Sequence, residues 1–206
     1  MAPLFYAGPA AGDAVAHDDH GREAMQGQGG LSTRGIVISA VLAAIAIFLG
    51  ATRLGFIPVP TAAGSATIMH VPAIIGAILE GPVVGAIIGT IFGLYSFFFA
   101  TIPLFKDPIV AIVPRIFIGI FAAWAYMAFR RSGEVTAITV AAIVGTATNT
   151  VLVLGFGVLR HYIPTKAAVV VAVTHGIPEI IVAVIISLAV LLGWKRVQRP
   201  EARARV

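Results

Sequence analysis

Four polar residues stand inside long apolar stretches of this 206-residue chain: Arg115, Asn149, His175 and Glu179. Polar and ionisable groups in such surroundings are costly and commonly face a cavity or a partner. Arg115 follows Pro114, and its planar guanidinium suits bidentate recognition of a carboxylate. Asn149, in "GTATNT", offers an amide donor and acceptor. His175 and Glu179, in "THGIPE", are four residues apart and share one face of a helix. The set fits a small, polar, carboxylate-bearing ligand. Each member also has a structural reading. Arg115 can snorkel to an interface or pair with Glu179. Asn149 can bond between helices, and His175 can be a satisfied core histidine. Glu179 lies deeper, which suits a structural or coupling role better than direct contact.

Other chemistry is missing from the sequence. There is no Gly-x-x-x-x-Gly-Lys-Ser/Thr phosphate loop, no His-Glu-x-x-His metal pair and no Gly-x-Ser-x-Gly nucleophile turn. There is no cysteine, so neither disulfides nor thiolate metal sites form. "HDDH" (His17, Asp18, Asp19, His20) offers metal-binding atoms, but no second cluster completes a site. A solvated tail segment is the simpler reading. No catalytic residue, metal or cofactor is expected. An intramembrane enzyme using His175 and Glu179 would need a nucleophile or metal that the chain does not offer. A solitary carrier or channel for a small organic solute remains the alternative. The chain has residues to bind something and no engine to drive it.

The elements that hold these residues follow from composition. The chain is 59% hydrophobic and only 11% charged, whereas soluble domains carry about a quarter charged residues. Lipid is therefore the solvent for most of it. The net charge of +5 does not imply nucleic acid, because the basic residues gather at the ends of apolar runs. A membrane helix needs about 20 apolar residues, and the first run, about 34–54, supplies them. The Pro- and Gly-rich stretch 55–67 reads as a loop.

The next apolar run is broken by Glu80-Gly81-Pro82. Proline pushes the residue before it out of helical angles and is favoured at the start of a new helix. Two helices, about 68–80 and 82–101, are expected, with Glu80 at a water boundary. The first is short, at roughly 20 Å, and needs the preceding loop to complete that side of the protein. Asp107 can cap a helix that Pro108 starts, running to about 129. Two more follow at 134–159 and about 166–194, the last expected to kink at Pro178, which cannot donate to the carbonyl of Thr174.

The expected fold is thus an all-α membrane protein of six crossings. A disordered cytoplasmic tail covers 1–30, the membrane domain 31–196, and a basic cytoplasmic tail 197–206. With both termini inside, nine cations (Arg22, Arg34, Arg130, Arg131, Lys195, Arg196, Arg199, Arg203, Arg205) lie inside and four (Arg53, Lys106, Arg160, Lys166) outside, as the positive-inside rule requires. Gly81, Gly85, Gly89 and Gly93 draw a stripe of small residues for close packing within the bundle, and Ala40 and Ala44 form a similar pair.

Several segments resemble the substrate-binding S components of energy-coupling factor (ECF) vitamin transporters: Ala40-x-x-x-Ala44, "ATIMHVPAIIGAILEGPVVGAIIGTIFG" (66–93), "PLFKDPIVAIVPRIFIG" (103–119), "GTATNTVLVLG" (145–155) and "HGIPEIIVAVI" (175–185). The resemblance covers about 34–194 and is most like the branch assigned to pantothenate. It implies a six-helix subunit that captures a vitamin from outside. A membrane coupling subunit and two ATPases would supply the engine. It implies a substrate site toward the outer side, beneath the 55–67 loop. Arg115, Asn149 and His175 would line it, with Thr67 and His70 from the 66–93 segment. Ala40 and Ala44 would dock on the coupling subunit. Glu179, Gly81, Gly85 and Gly89 would be structural or coupling residues.

Overall fold

Several helix starts in this chain fall where the sequence supplies them. The computed structural model describes the backbone of residues 32–58 and 65–203, with side chains over 32–56 and 67–197. The expected tail over 1–30, including His17 to His20, lies outside these residues.

The first helix, α1, spans Thr33–Ala51. A turn through Gly55 follows, then two three-residue strands, β1 (Phe56–Pro58) and β2 (Ser65–Thr67), paired antiparallel with Phe56 opposite Thr67. This hairpin amends the all-α expectation. Phe56 and Ile57 on one arm and Thr67 on the other favour extended backbone, but a three-residue strand ending in proline leaves almost no periodic signal.

The Gly81-Pro82 break is present. Helix α2 covers Val71–Glu80 and α3 covers Pro82–Phe98. Gly81 sits between them at φ +92, a left-handed region that glycine enters without steric cost. Its amide still closes α2 on the Ala77 carbonyl at 3.0 Å, while its carbonyl opens α3 by accepting from Gly85 at 3.2 Å.

Asp107 caps the short helix α4 (Pro108–Ala111) by accepting from the Ile109 amide at 2.9 Å. The chain then steps through Ile112 into α5 (Val113–Phe129). The expected single helix over 108–129 is therefore interrupted just ahead of Pro114, whose ring cannot donate to the preceding turn. Helix α6 is Glu134–Leu159, introduced by Gly133 at φ +112. Helix α7 is Thr165–Arg203 and stays helical through Pro178 and past the expected end at Trp194.

Four segments are long and apolar enough to cross a membrane: Thr33–Ala51, Pro108–Ser132, Glu134–Leu159 and Thr165–Val197. Helices α2 and α3 are shorter. Their roles differ from the rest. Every residue from Val71 to Ile78 is buried, and α2 packs against α3, α5, α6 and α7. An apolar helix covered on all sides is an interior element. The outer helices instead present Val151, Ile181 and Ile185 outward, as a bundle solvated by lipid does.

Helices α3 and α5 meet backbone to backbone. A side chain added at Gly119 would collide with the backbone of Gly85, and one at Gly89 with the Arg115 carbonyl. The α3 glycines therefore lie in an internal seam and bring α3 close to the start of α5. At the end of the bundle holding Phe129 and Glu134, Lys195 pairs with Glu134, which also accepts from the Tyr126 hydroxyl at 2.9 Å. This contact ties α5, α6 and α7 together.

Candidate functional site

A cavity of about 700 Å³ opens at the opposite end of the bundle. It lies among the end of α1, the hairpin, the end of α3, the turn at 103–106 and the start of α5. The volume falls in the range of small-molecule sites, about 300–1,000 Å³.

Arg115 is the buried cation of this cavity, only 3% exposed. The seam described above fixes its backbone against α3. Its side chain lies between two rings, 5.4 Å from the Phe92 centroid and 4.8 Å from that of Phe105. Nη1 donates to the Val110 carbonyl at 2.7 Å. Nε is buried with no hydrogen-bond partner among the described residues. Aromatic faces favour the cation but do not satisfy its directional N–H groups. A ligand carboxylate or carbonyl would.

The alternative reading, an ion pair between Arg115 and Glu179, does not form among the described contacts. Each has other direct partners. Glu179 is buried in α7, accepts from the Thr67 amide at 2.8 Å and lies 3.2 Å from Nε2 of His175. Through Thr67 it reaches the cavity wall.

Of the five residues proposed to touch substrate, Arg115 and Thr67 line the cavity; His70, Asn149 and His175 do not. They lie on three helices instead: His70 at the start of α2, Asn149 on α6 and His175 on α7. His70, fully buried at the start of α2, contacts the Thr146 hydroxyl through Nε2 at 2.9 Å. Asn149 is buried one helical turn further along α6. Nδ1 of His70, Nδ1 of His175 and Oδ1 of Asn149 are all buried without a hydrogen-bond partner among the described residues. Buried polar atoms usually find partners, so these three stand out.

Ala40 and Ala44 are exposed on α1, on a face away from its buried residues Gly35, Ser39, Ala43, Ala46 and Gly50. The described residues contain no group of three or more His, Cys, Asp or Glu able to hold a metal.

The chain matches the family model described as "ECF transporter, substrate-specific component" over residues 34–191. The chain belongs to this family. This S component is also similar to the pantothenic acid transporter PanT of Lactococcus lactis subsp. cremoris (strain MG1363). The two are 34% identical over 151 residues, 61% of this chain and 75% of that protein. The S component is a multi-pass membrane protein, and its family is one of transporter subunits, not of enzymes.

Sequence reasoning about the S component passed over the cavity's aromatic wall. Phe92, Tyr95, Phe99 and Phe105 all line it, with Tyr95 stacked on Phe99 at 4.8 Å. A signal was present: "FGLYSFFFA" (92–100) is crowded with aromatic rings. Nothing in that run alone says which rings turn inward.

Proposed function

We propose that this S component binds pantothenate at the cavity and delivers it inward across six membrane crossings, with both termini cytoplasmic. Arg115 carries the proposal. It is a guanidinium held away from water, braced by two rings, with Nε unpaired among the described residues. Pantothenate has one carboxylate to meet it, a geminal dimethyl group to lie against Phe92 and Phe105, and amide and hydroxyl groups for Thr67. His70, Asn149 and His175, with buried polar atoms unpaired among the described residues, would take up the remaining hydrogen bonds when the hairpin closes. The likeness to a pantothenic acid transporter supports the same ligand.

The engine would come from partners. A membrane coupling subunit would dock on the exposed Ala40–Ala44 face, where small side chains permit close helix approach. Two ATPase subunits would complete the importer. The distribution of nine cations against four along the sequence supports the orientation.

Calorimetric titration of the purified protein with pantothenate tests the ligand, and co-purification of ATPases tests the assembly. Absence of pantothenate binding by a folded preparation overturns the ligand reading. Uptake into vesicles by this chain alone would instead mark a solitary carrier. A reporter fused after Val206 that reads as external would overturn the topology.

A further inference from the structure

The cavity carries a second cation that the binding reading does not use. Arg53 lines the cavity but, unlike Arg115, is exposed, so it stands at the mouth while Arg115 stands at the floor. The wall carries the rings of Phe92, Tyr95, Phe99 and Phe105, and among the described residues no aspartate or glutamate contributes to the lining.

Arg53 is held there by its backbone. It follows α1 at φ +58, a left-handed conformation more usual for glycine or asparagine. Its amide donates to the Gly50 carbonyl at 3.2 Å, its carbonyl accepts from Phe56 at 3.1 Å, and Gly55 donates to Leu49 at 2.8 Å. The turn that ends α1 and enters the hairpin therefore fixes where this side chain leaves the chain. The side chain makes no ion pair or hydrogen bond with another described residue.

Positive charge predominates around the mouth. Besides Arg115, the described residues at this end hold four cations, Arg53, Lys106, Arg160 and Lys166, against two carboxylates, Asp107 and Glu179, the latter bonded to the Thr67 amide. Asp107 is already engaged by Arg160 at 2.7 Å. A cleft bordered by one sign of charge and walled by low-dielectric side chains concentrates ions of the opposite sign. A charge at the rim acts mainly on the rate of encounter, whereas a desolvated charge at the floor acts on the lifetime of the complex.

We propose that Arg53 is the capture residue of the site. It draws an anionic ligand to the mouth, and Arg115 then holds it. The inference rests on the reading that the ligand is a carboxylate bound at Arg115.

The test is rapid-mixing association of pantothenate with the full chain in nanodiscs of zwitterionic lipid, where the bilayer adds no net charge. At low ionic strength Arg53→Gln should slow association by about 3- to 10-fold and flatten its dependence on salt. Dissociation should stay within about twofold of the parent. Arg53→Lys, which keeps the charge, should restore fast association. The uncharged alcohol analogue, with CH2OH in place of the carboxylate, should associate equally with parent and Arg53→Gln. Unchanged association of pantothenate with Arg53→Gln overturns the capture role, as does faster dissociation at unchanged association, which would make Arg53 a direct contact. Equal slowing of the alcohol also overturns it. If the folded parent binds no pantothenate, the ligand reading fails and the capture role falls with it; every other adverse result removes the capture role alone.

Discussion

The backbone amide of Thr67 donates to Oε1 of Glu179 at 2.8 Å, across 112 residues of sequence. One buried carboxylate of α7 thereby holds the last strand residue of the hairpin against the cavity. Hydrogen bonds to charged acceptors contribute about 1.5–3 kcal/mol. Glu179→Leu should therefore loosen the hairpin and speed ligand release by roughly 10-fold or more. Glu179→Gln keeps a carbonyl acceptor and should fall between the two. Hydrogen exchange at the Thr67 amide reads the contact directly. An amide as protected in Glu179→Leu as in the parent would remove this role from Glu179.

Arg115 offers a sharper contrast. Arg115→Lys keeps the charge but loses the planar fork, so ligand affinity should drop; Arg115→Ala should lower it further, by about 1.5–3 kcal/mol. The double variant Arg115→Met with Glu179→Met should lose affinity as well. Ligand titration of a folded double variant that matches the parent would show that the arginine does not hold the ligand.

Acid should weaken the cavity end of the bundle. The Arg160 hydrogen bond, above all, holds the Asp107 carboxyl below its ordinary value of 3.8, helped by the Ile109 amide. A carboxylate whose folded value is depressed stabilises the fold fully above its unfolded value and loses that contribution as pH falls through the folded one. Arg160 is half exposed, so solvent screening keeps the effect modest. The melting temperature of the parent should fall below about pH 4, and the difference between parent and Asp107→Asn should shrink over the same range. A constant difference from pH 7 downward would rule out this linkage.

The exposed alanine face of α1 makes a prediction about assembly alone. Ala40→Leu or Ala44→Leu should leave ligand affinity unchanged, since neither residue lines the cavity, and should reduce co-purification of the coupling subunit by blocking close helix approach. Normal assembly and uptake in both variants would place the docking surface elsewhere.

Much of the helical plan was legible because its punctuation is local. Gly81-Pro82 separates α2 from α3 through ring sterics and one positive φ. Gly133 and Glu134 begin α6 where the sequence indicated. The interruption at Ile112 and the hairpin were not legible: the first is a single residue before Pro114, the second two strands of three residues. The site was half legible. Arg115 stood out because a cation in an apolar run is conspicuous. That Asn149 and His175 lie outside the cavity lining depends on the rotation of α6 and α7 about their axes, which helical spacing leaves undetermined. The pairing of Phe92 and Phe105 around Arg115 depends on three elements meeting, and no single stretch of sequence encodes that.

Burial of α2 has a consequence for biogenesis. Val71–Ile78 need α5, α6 and α7 to cover them, yet all three are synthesised later. A ten-residue helix is also only about 15 Å long, half the hydrocarbon thickness of a bilayer. While the ribosome is still translating the second half of the chain, α2 must wait beside α3 without its final neighbours. The interior can close only once α7 has emerged, so a nascent chain truncated before Thr165 leaves this buried inner helix uncovered on that side.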